Sequence, residues 1–135
     1  MKKVEQEIDP DLTEQITIKN DYILIEPDEF DLLELICLIG NLLALPEFKS
    51  KPNIWILREE VKNLSYSDLL KLKEFSKKNF PESITHHKTA FVAESVYQRA
   101  MADAYRGISI EMPVKYKVFS SLEDAEEWVR EGKNA

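Results

Sequence analysis

The side chains best placed for regulated chemistry are two serines, Ser65 and Ser67, which follow the polar stretch 58–64 and open a predicted helix. A serine at a helix start usually accepts a hydrogen bond from a free backbone amide, which stabilises the helix by about 1 kcal/mol. A phosphate group at the same position would be favoured by the helix dipole, and Arg58 would offset the repulsion from nearby carboxylates. These residues are therefore candidates for a helix cap, for phosphorylation or for contact with a partner.

The two histidines and the single cysteine offer little for metal binding or nucleophilic catalysis. His86 and His87 are adjacent, so in an extended segment they point to opposite sides and chelate one metal ion badly. We expect them in an exposed loop, and we expect Cys37 to be a small buried or half-buried residue within a helix. The sequence shows no nucleophile–base pair, paired carboxylates or metal-ligand spacing. We therefore predict a non-enzymatic protein without a metal or another cofactor.

Two groups of apolar residues are candidates for binding surfaces. The first predicted helix has more leucines than one sheet face requires, and Leu38 and Leu45 lie seven residues apart on the same side. They are either buried under the N-terminal arm or a neighbouring helix, or they form a surface for self-association, a partner or an acyl chain. Tyr97, Met101 and Tyr105 recur every four residues, which indicates either a core stripe or one wall of a pocket. Open α/β sheets place such pockets at the carboxyl ends of their strands.

Charge excludes several classes of partner. The chain has 18 Lys and Arg against 25 Asp and Glu, a net charge of −7. Generic nucleic-acid binding and attraction to an anionic membrane both need a basic surface, so neither is expected. Lys71, Lys73, Lys77 and Lys78 form the one basic cluster, which we interpret as the solvated face of a helix or, alternatively, a docking site for an acidic partner.

Other features bear on location and on cofactors. The three glycines are not spaced for a dinucleotide- or phosphate-binding loop. The longest apolar stretch, residues 32–45, is shorter than the ~20 residues that span a bilayer. A single cysteine forms no intrachain disulfide, and the N-terminus lacks the apolar run of a secretory signal, so we expect a cytoplasmic protein.

Hydrophobic periodicity predicts the element order β-β-α-β-α-β-α-β-α. A hairpin of strands at 13–18 and 22–25 precedes a helix that Asp28 caps and that ends near Leu45. The remaining strands are predicted at 53–57, 89–93 and 114–119, and the remaining helices begin at Ser65 or Ser67, Ser95 and Ser121. Alternating strands and helices indicate one α/β domain over 12–131, with a mostly parallel sheet of four to five strands and about four helices. A loose arm at 1–11 and a tail at 132–135 flank it.

This arrangement resembles the SpoIIAA-like family, which has the STAS-like fold of anti-sigma-factor antagonists. The resemblance covers about residues 12–131. It rests on the hairpin, the leucine-rich helix, the segments 54–57 and 90–93 and, most specifically, the ending at 118–129, which reads VFSSLEDAEEWV.

The resemblance implies a bacterial, non-enzymatic module that binds partner proteins, in a group where some members bind lipids or nucleotides. In anti-sigma-factor antagonists a partner kinase phosphorylates a serine at the start of the second helix, within the pattern Asp-Ser-Ser-Gly. This chain lacks that pattern, although Ser65 and Ser67 stand at the corresponding place.

Two functions therefore stay open. The first is a regulatory or protein-interaction module whose partner is an unknown protein or a second copy of the chain, as in a homodimer. The alternative is a small-molecule or lipid-binding module with an apolar pocket between helices and sheet. A continuous apolar cavity with one or two convergent polar groups would distinguish the second function from the first.

Overall fold

A computed structural model describes residues 15–28, 31–58 and 64–131 as five strands and four helices. The strands are β1 (Ile16–Ile18), β2 (Ile23–Ile25), β3 (Asn53–Leu57), β4 (Lys88–Ala93) and β5 (Lys115–Phe119). The helices are α1 (Leu32–Ala44), α2 (Tyr66–Asn79), α3 (Val96–Ile108) and α4 (Leu122–Glu131), and a short 3-10 helix, Pro46–Lys49, follows α1. The predicted arm at 1–11 and the tail at 132–135 lie outside the described residues.

The strands lie side by side in chain order, β1-β2-β3-β4-β5. The first pair is an antiparallel hairpin, and β2 to β5 are parallel. The predicted α/β class, the opening hairpin and the mostly parallel sheet are thus confirmed. Because parallel crossovers are almost always right-handed, a consecutive order puts α1, α2 and α3 on the same face of the sheet.

The core is divided between the two faces of the sheet. On one face, Trp55 and Phe91 pack with buried residues of α1, α2 and α3. On the other face, Ile54 and Val92 pack with Trp128 of α4. Alternate residues of β3 and β4 therefore point into different layers, as the two-residue period of a strand requires.

Side-chain contacts hold α4 to the turn between β1 and β2 and to the start of β4. The Tyr22 hydroxyl donates to Glu126 Oε2 at 2.5 Å, and Arg130 Nε donates to Asp21 Oδ2 at 2.6 Å. Burial, with a smaller effect of Glu126, raises the pKa of Tyr22 to about 12. Lys88 Nζ donates to the Trp128 carbonyl at 2.7 Å, which satisfies one of the carbonyls left open in the last turn of a helix.

The start of α1 differs from the prediction. The N-cap is Asp31, whose Oδ1 accepts a hydrogen bond from the Glu34 amide at 2.8 Å. Asp28 instead donates its own backbone amide to the side chain of Gln15 at 2.9 Å. Both aspartates are suitable caps by residue type, and the later one is used.

The excess leucines of α1 are mainly core residues. Leu38 is fully buried and Leu45 is half-buried against the same core, so Leu38 is not part of a surface for self-association. Of the alternatives open for this pair, the structure supports burial. The expectation for Cys37 is wrong, because its side chain is exposed. Cys37 and Leu33 lie on the outer side of α1, away from its buried residues Leu35, Leu38, Ile39 and Leu42.

Truncation of a buried leucine and of an exposed leucine of α1 should have different effects on stability. Leu38→Ala removes a fully buried side chain, so we expect it to lower the free energy of unfolding by about 2–5 kcal/mol. Leu33→Ala is the matched control, and at 72% exposure it should change stability by less than about 0.5 kcal/mol. Urea unfolding measures both values. A small loss for Leu38→Ala together with a smaller species in sizing would instead indicate an interface.

Candidate functional site

A row of polar side chains crosses the sheet at the amino ends of three neighbouring strands. Asn53 pairs in register with Thr89, and Thr89 pairs with Tyr116. Each lies an even number of residues from Trp55, Phe91 or Val118 on its own strand, so the row lies on the face covered by α1, α2 and α3. A helix-covered face of a parallel sheet is ordinarily apolar. We call these three residues the polar row.

Two helices bring further hydroxyl groups to the polar row. Tyr105 lies near the end of α3, and its ring packs edge-on against Tyr116 with 5.8 Å between centroids. Its hydroxyl lies 3.3 Å from Ser76 Oγ of α2. Because α2 and α3 run antiparallel to the strands, their last turns lie over the amino ends of the strands.

A cavity of about 110 Å³ lies between the polar row and the helices. It is partly open to solvent, and its polar lining consists of Asn53, Thr89, Tyr116, Tyr105 and Ser76. The rest of its lining is apolar, contributed by all three helices, by the 3-10 helix, by the strands and by neighbouring loops. The arrangement is a continuous apolar cavity with convergent polar groups, which is typical of small-molecule sites.

Asn53 is the most unusual residue of the cavity. It is 1% exposed, and its Oδ1 accepts a hydrogen bond from the Trp55 indole at 3.0 Å. Its Nδ2 has no acceptor within the described part of the chain. An unpaired buried amide costs about 1–3 kcal/mol, so this group needs an explanation.

A second buried polar atom without a well-formed hydrogen bond lies nearby but does not line the cavity. Ser109 Oγ has no partner of normal geometry in the described residues, yet the hydroxyl lies close enough to Tyr105 and Tyr116 to lower their pKa values slightly. Burial acts in the opposite direction and prevails, so the pKa of each phenol lies above its ordinary value of 10.0. Both phenols are therefore neutral at physiological pH.

Of the residues predicted to form a pocket, Met101 and Tyr105 line the cavity, and Tyr97 does not. Tyr97 is 49% exposed in the first turn of α3, at the opposite end of the sheet. The predicted position at the carboxyl ends of the strands is wrong for Tyr105. It lies in the last turn of an antiparallel helix, which places it at the amino ends.

The predicted serine site lies apart from the cavity, at the carboxyl ends of the strands. Ser65 caps α2 in a capping box with Asp68: its Oγ accepts from the Asp68 amide, and its own amide donates to the Asp68 carboxylate. Ser67 is exposed in the first turn. Arg58 pairs with Glu26 at 2.9 Å, and its carbonyl accepts a hydrogen bond from Gln98. The cap is confirmed, and phosphorylation or partner contact at these residues stays a prediction.

The expectation of an exposed loop is wrong for one histidine. His87 stacks on Phe48 with 4.2 Å between ring centroids, and its Nε2 lies 2.7 Å from the Phe48 carbonyl oxygen. A carbonyl only accepts, so Nε2 carries the proton, and burial lowers the pKa of His87 below 6.5. His86 is exposed as expected. In the described ranges, no three His, Cys, Asp or Glu side chains come together as a metal site.

The basic cluster on α2 is partly neutralised. Lys73 is buried rather than solvated, and Lys73 and Lys77 contact Glu111 at 3.0 and 2.6 Å. These contacts hold the pKa of Glu111 below its ordinary value of 4.5. Glu111 belongs to the turn after α3, whose Met112 and Val114 line the cavity. The ion pairs therefore fasten one wall of the cavity to α2.

Replacement of the Glu111 carboxylate should lower the stability of the protein in a pH-dependent way. Because the pKa of Glu111 is lowered on folding, its contribution to stability is present above about pH 4.5 and is lost as the pH falls through the lower value of the folded chain. We expect Glu111→Gln to lower the melting temperature at about pH 7, and we expect the difference from the wild type to disappear once the pH lies below the pKa of Glu111 in the folded chain. Thermal unfolding followed by circular dichroism measures this, with the exposed Glu123→Gln as the control. A pH-independent difference would contradict the assignment.

Sequence reasoning missed Asn53, Thr89 and Tyr116, each of which is the first or second residue of its strand. Comparisons of the chain with protein-family models, with curated proteins and with solved structures find no match. None of the helices in the described ranges is long and apolar enough to cross a membrane. The cavity and its polar row are thus the features of the molecule from which a function must be inferred.

Proposed function

We propose that this protein is a non-catalytic, STAS-like binding module that holds a small, largely apolar molecule between its sheet and α1, α2 and α3. The observation that carries the proposal is the cavity of about 110 Å³, which is apolar except for the polar row and the hydroxyls above it. An engineered apolar cavity of about 150 Å³ binds benzene. The cavity in this protein is smaller but partly open to solvent, so it has room for a molecule of about the size of benzene that reaches into the opening, or for one end of a longer ligand.

The energetics of the cavity support a ligand rather than a purely structural gap. A sealed apolar cavity costs about 24 cal/mol per Å³, so about 2–3 kcal/mol is the upper limit for a cavity of this size that is partly open to solvent. The unpaired amide of Asn53 adds a further cost. A bound molecule that filled the space and satisfied the amide would recover both.

The topology supports a STAS-like assignment. The hairpin, α1, β3, β4 and the ending formed by β5 and α4 contain the segments on which the resemblance rests. Of the two functions left open by the sequence, ligand binding has the stronger support, because its distinguishing feature, an apolar cavity with convergent polar groups, is present.

The two tryptophans of the chain provide a matched pair of reporters for ligand binding. Trp55 lines the cavity, and Trp128 lies on the opposite face of the sheet. We expect benzene, added to ¹⁵N-labelled protein, to shift the indole NH signal of Trp55 saturably and to leave that of Trp128 in place. Ala102→Leu, which fills the cavity from α3, should abolish the shift. Equal shifts of both indoles, or a shift that Ala102→Leu retains, would contradict the proposal.

One observation favours the protein-interaction function as a second candidate. Large apolar side chains are exposed in the first turns of three helices, at the carboxyl ends of the strands: Leu33 of α1, Tyr66 of α2, and Val96 and Tyr97 of α3. Exposed apolar side chains grouped at one end of a protein are typical of contact surfaces. The occupant that we propose is a second copy of the chain.

Sedimentation equilibrium tests this second candidate. We expect the wild-type chain to form a dimer that Val96→Glu dissociates, because the substitution places a charge in the contact. Ile110→Glu is the matched control, since Ile110 is 86% exposed but follows α3 at the other end of the sheet. A monomeric wild type, or equal effects of the two substitutions, would reject this surface.

A further inference from the structure

We infer that the ligand of this cavity is a neutral molecule with a hydrogen-bond acceptor on a compact hydrocarbon body of about six non-hydrogen atoms. The inference rests on the proposed function and adds the chemical class of the ligand and the residue that selects it, Asn53. Four features of the cavity support it: the orientation of one amide, the partners of the other polar groups, the charge of the lining, and the direction in which the apolar space extends.

The orientation of the Asn53 amide is fixed by its neighbour. The Trp55 indole NH can only donate, so the Asn53 atom 3.0 Å away must be the oxygen Oδ1. The other end of the amide is therefore the Nδ2 group, a donor. Asn53 lines the cavity, and Nδ2 is therefore the donor available to a ligand that reaches this amide.

Two of the other polar groups of the cavity do not require a hydrogen bond from the ligand. The hydroxyls of Ser76 and Tyr105 lie 3.3 Å apart and can satisfy each other. Among the described side chains, the buried atoms without a partner are Asn53 Nδ2 and Ser109 Oγ, and Ser109 does not line the cavity. One unsatisfied donor calls for one acceptor, such as a ketone, an aldehyde, an ether or a ring nitrogen.

The lining also defines the charge of the ligand. None of the lining residues is an Asp, Glu, Lys, Arg or His. Burial raises the pKa values of Tyr105 and Tyr116, so these two phenols remain uncharged. A carboxylate or an ammonium group in this space would lose its hydration without gaining a counter-ion, which is strongly unfavourable.

The shape of the cavity orients the ligand. Asn53 belongs to the polar row at the amino ends of the strands, whereas Leu57 and Leu69 line the cavity farther toward the carboxyl ends. The acceptor would therefore lie at the floor formed by β3, and the hydrocarbon body would extend along the sheet beneath α2 and Met101.

A pair of ligands with the same shape tests the inference on the unmodified chain. Cyclopentanone and methylenecyclopentane differ in a carbonyl oxygen against a CH₂ group. We expect cyclopentanone to bind about tenfold more tightly, because its oxygen satisfies a buried donor that the hydrocarbon leaves unpaired. Titration of the Trp55 indole NH signal gives both dissociation constants, with Trp128 as the internal reference. Butyrate, which has the same number of non-hydrogen atoms and a charge, should not bind.

Substitution of the selecting residue is the second test. Asn53→Asp removes the Nδ2 donor and keeps an oxygen that accepts from the Trp55 indole NH. We therefore expect the preference for cyclopentanone to be lost, because an ionised carboxylate offers the ligand no donor. Thr89→Val is the matched control from the neighbouring strand, and it should keep the preference. Because the ligand pair is also measured on the wild type, the inference stays testable if Asn53→Asp does not fold.

The outcomes of these tests distinguish a failure of the inference from a failure of the proposed function. Equal binding of the two ligands, tight binding of butyrate, or loss of the preference in Thr89→Val alone would overturn the inference and leave ligand binding in place. If neither neutral ligand shifts the Trp55 signal, the proposed function itself fails, and Asn53 Nδ2 is then satisfied by buried water only.

Discussion

The right-handed crossover between parallel strands is the constraint on which the other features of this structure depend. Because β2 to β5 lie side by side in chain order, each crossover puts its helix on the same face, and three successive helices must share it. Their last turns meet over the amino ends of the strands, where the cavity lies. α4 follows the last strand without a further crossover, and it packs on the opposite face.

The order of elements could be predicted because it depends on local patterns. Apolar runs next to Pro27 and Pro52 indicate β2 and β3, and Ser65 followed by Asp68 gives a capping box that needs no tertiary contact. Choices between similar local signals were not predictable. Asp28 and Asp31 are equally good caps. The exposure of Cys37, by contrast, agrees with its position three residues after Glu34 and four before Asn41, on the polar side of α1. His87 looks like a loop residue until Phe48, 39 positions earlier, supplies a ring and a carbonyl group.

The site was only partly predictable for a related reason. Met101 and Tyr105 follow from helical spacing, but Tyr97 is rotated by about 80° from Tyr105 around the helix axis and lies two turns away. Asn53, Thr89 and Tyr116 form a row only through the pairing of three strands, and no single strand contains that information. A search for polar or hydroxyl-bearing residues at the start of successive strands would have suggested it.

The contacts of α4 have a consequence for the order in which the chain can fold during synthesis. Tyr22 and Glu126 are separated by 104 positions, and Asp21 and Arg130 by 109. The layer that α1, α2 and α3 form on the sheet can begin to assemble as each strand–helix unit of the nascent chain emerges. Its contacts connect units that are neighbours in the chain. The apolar face around Leu24 and Ile54 must wait for residues 122–131. Until they emerge from the ribosome, that face is open to chaperones and to other nascent chains.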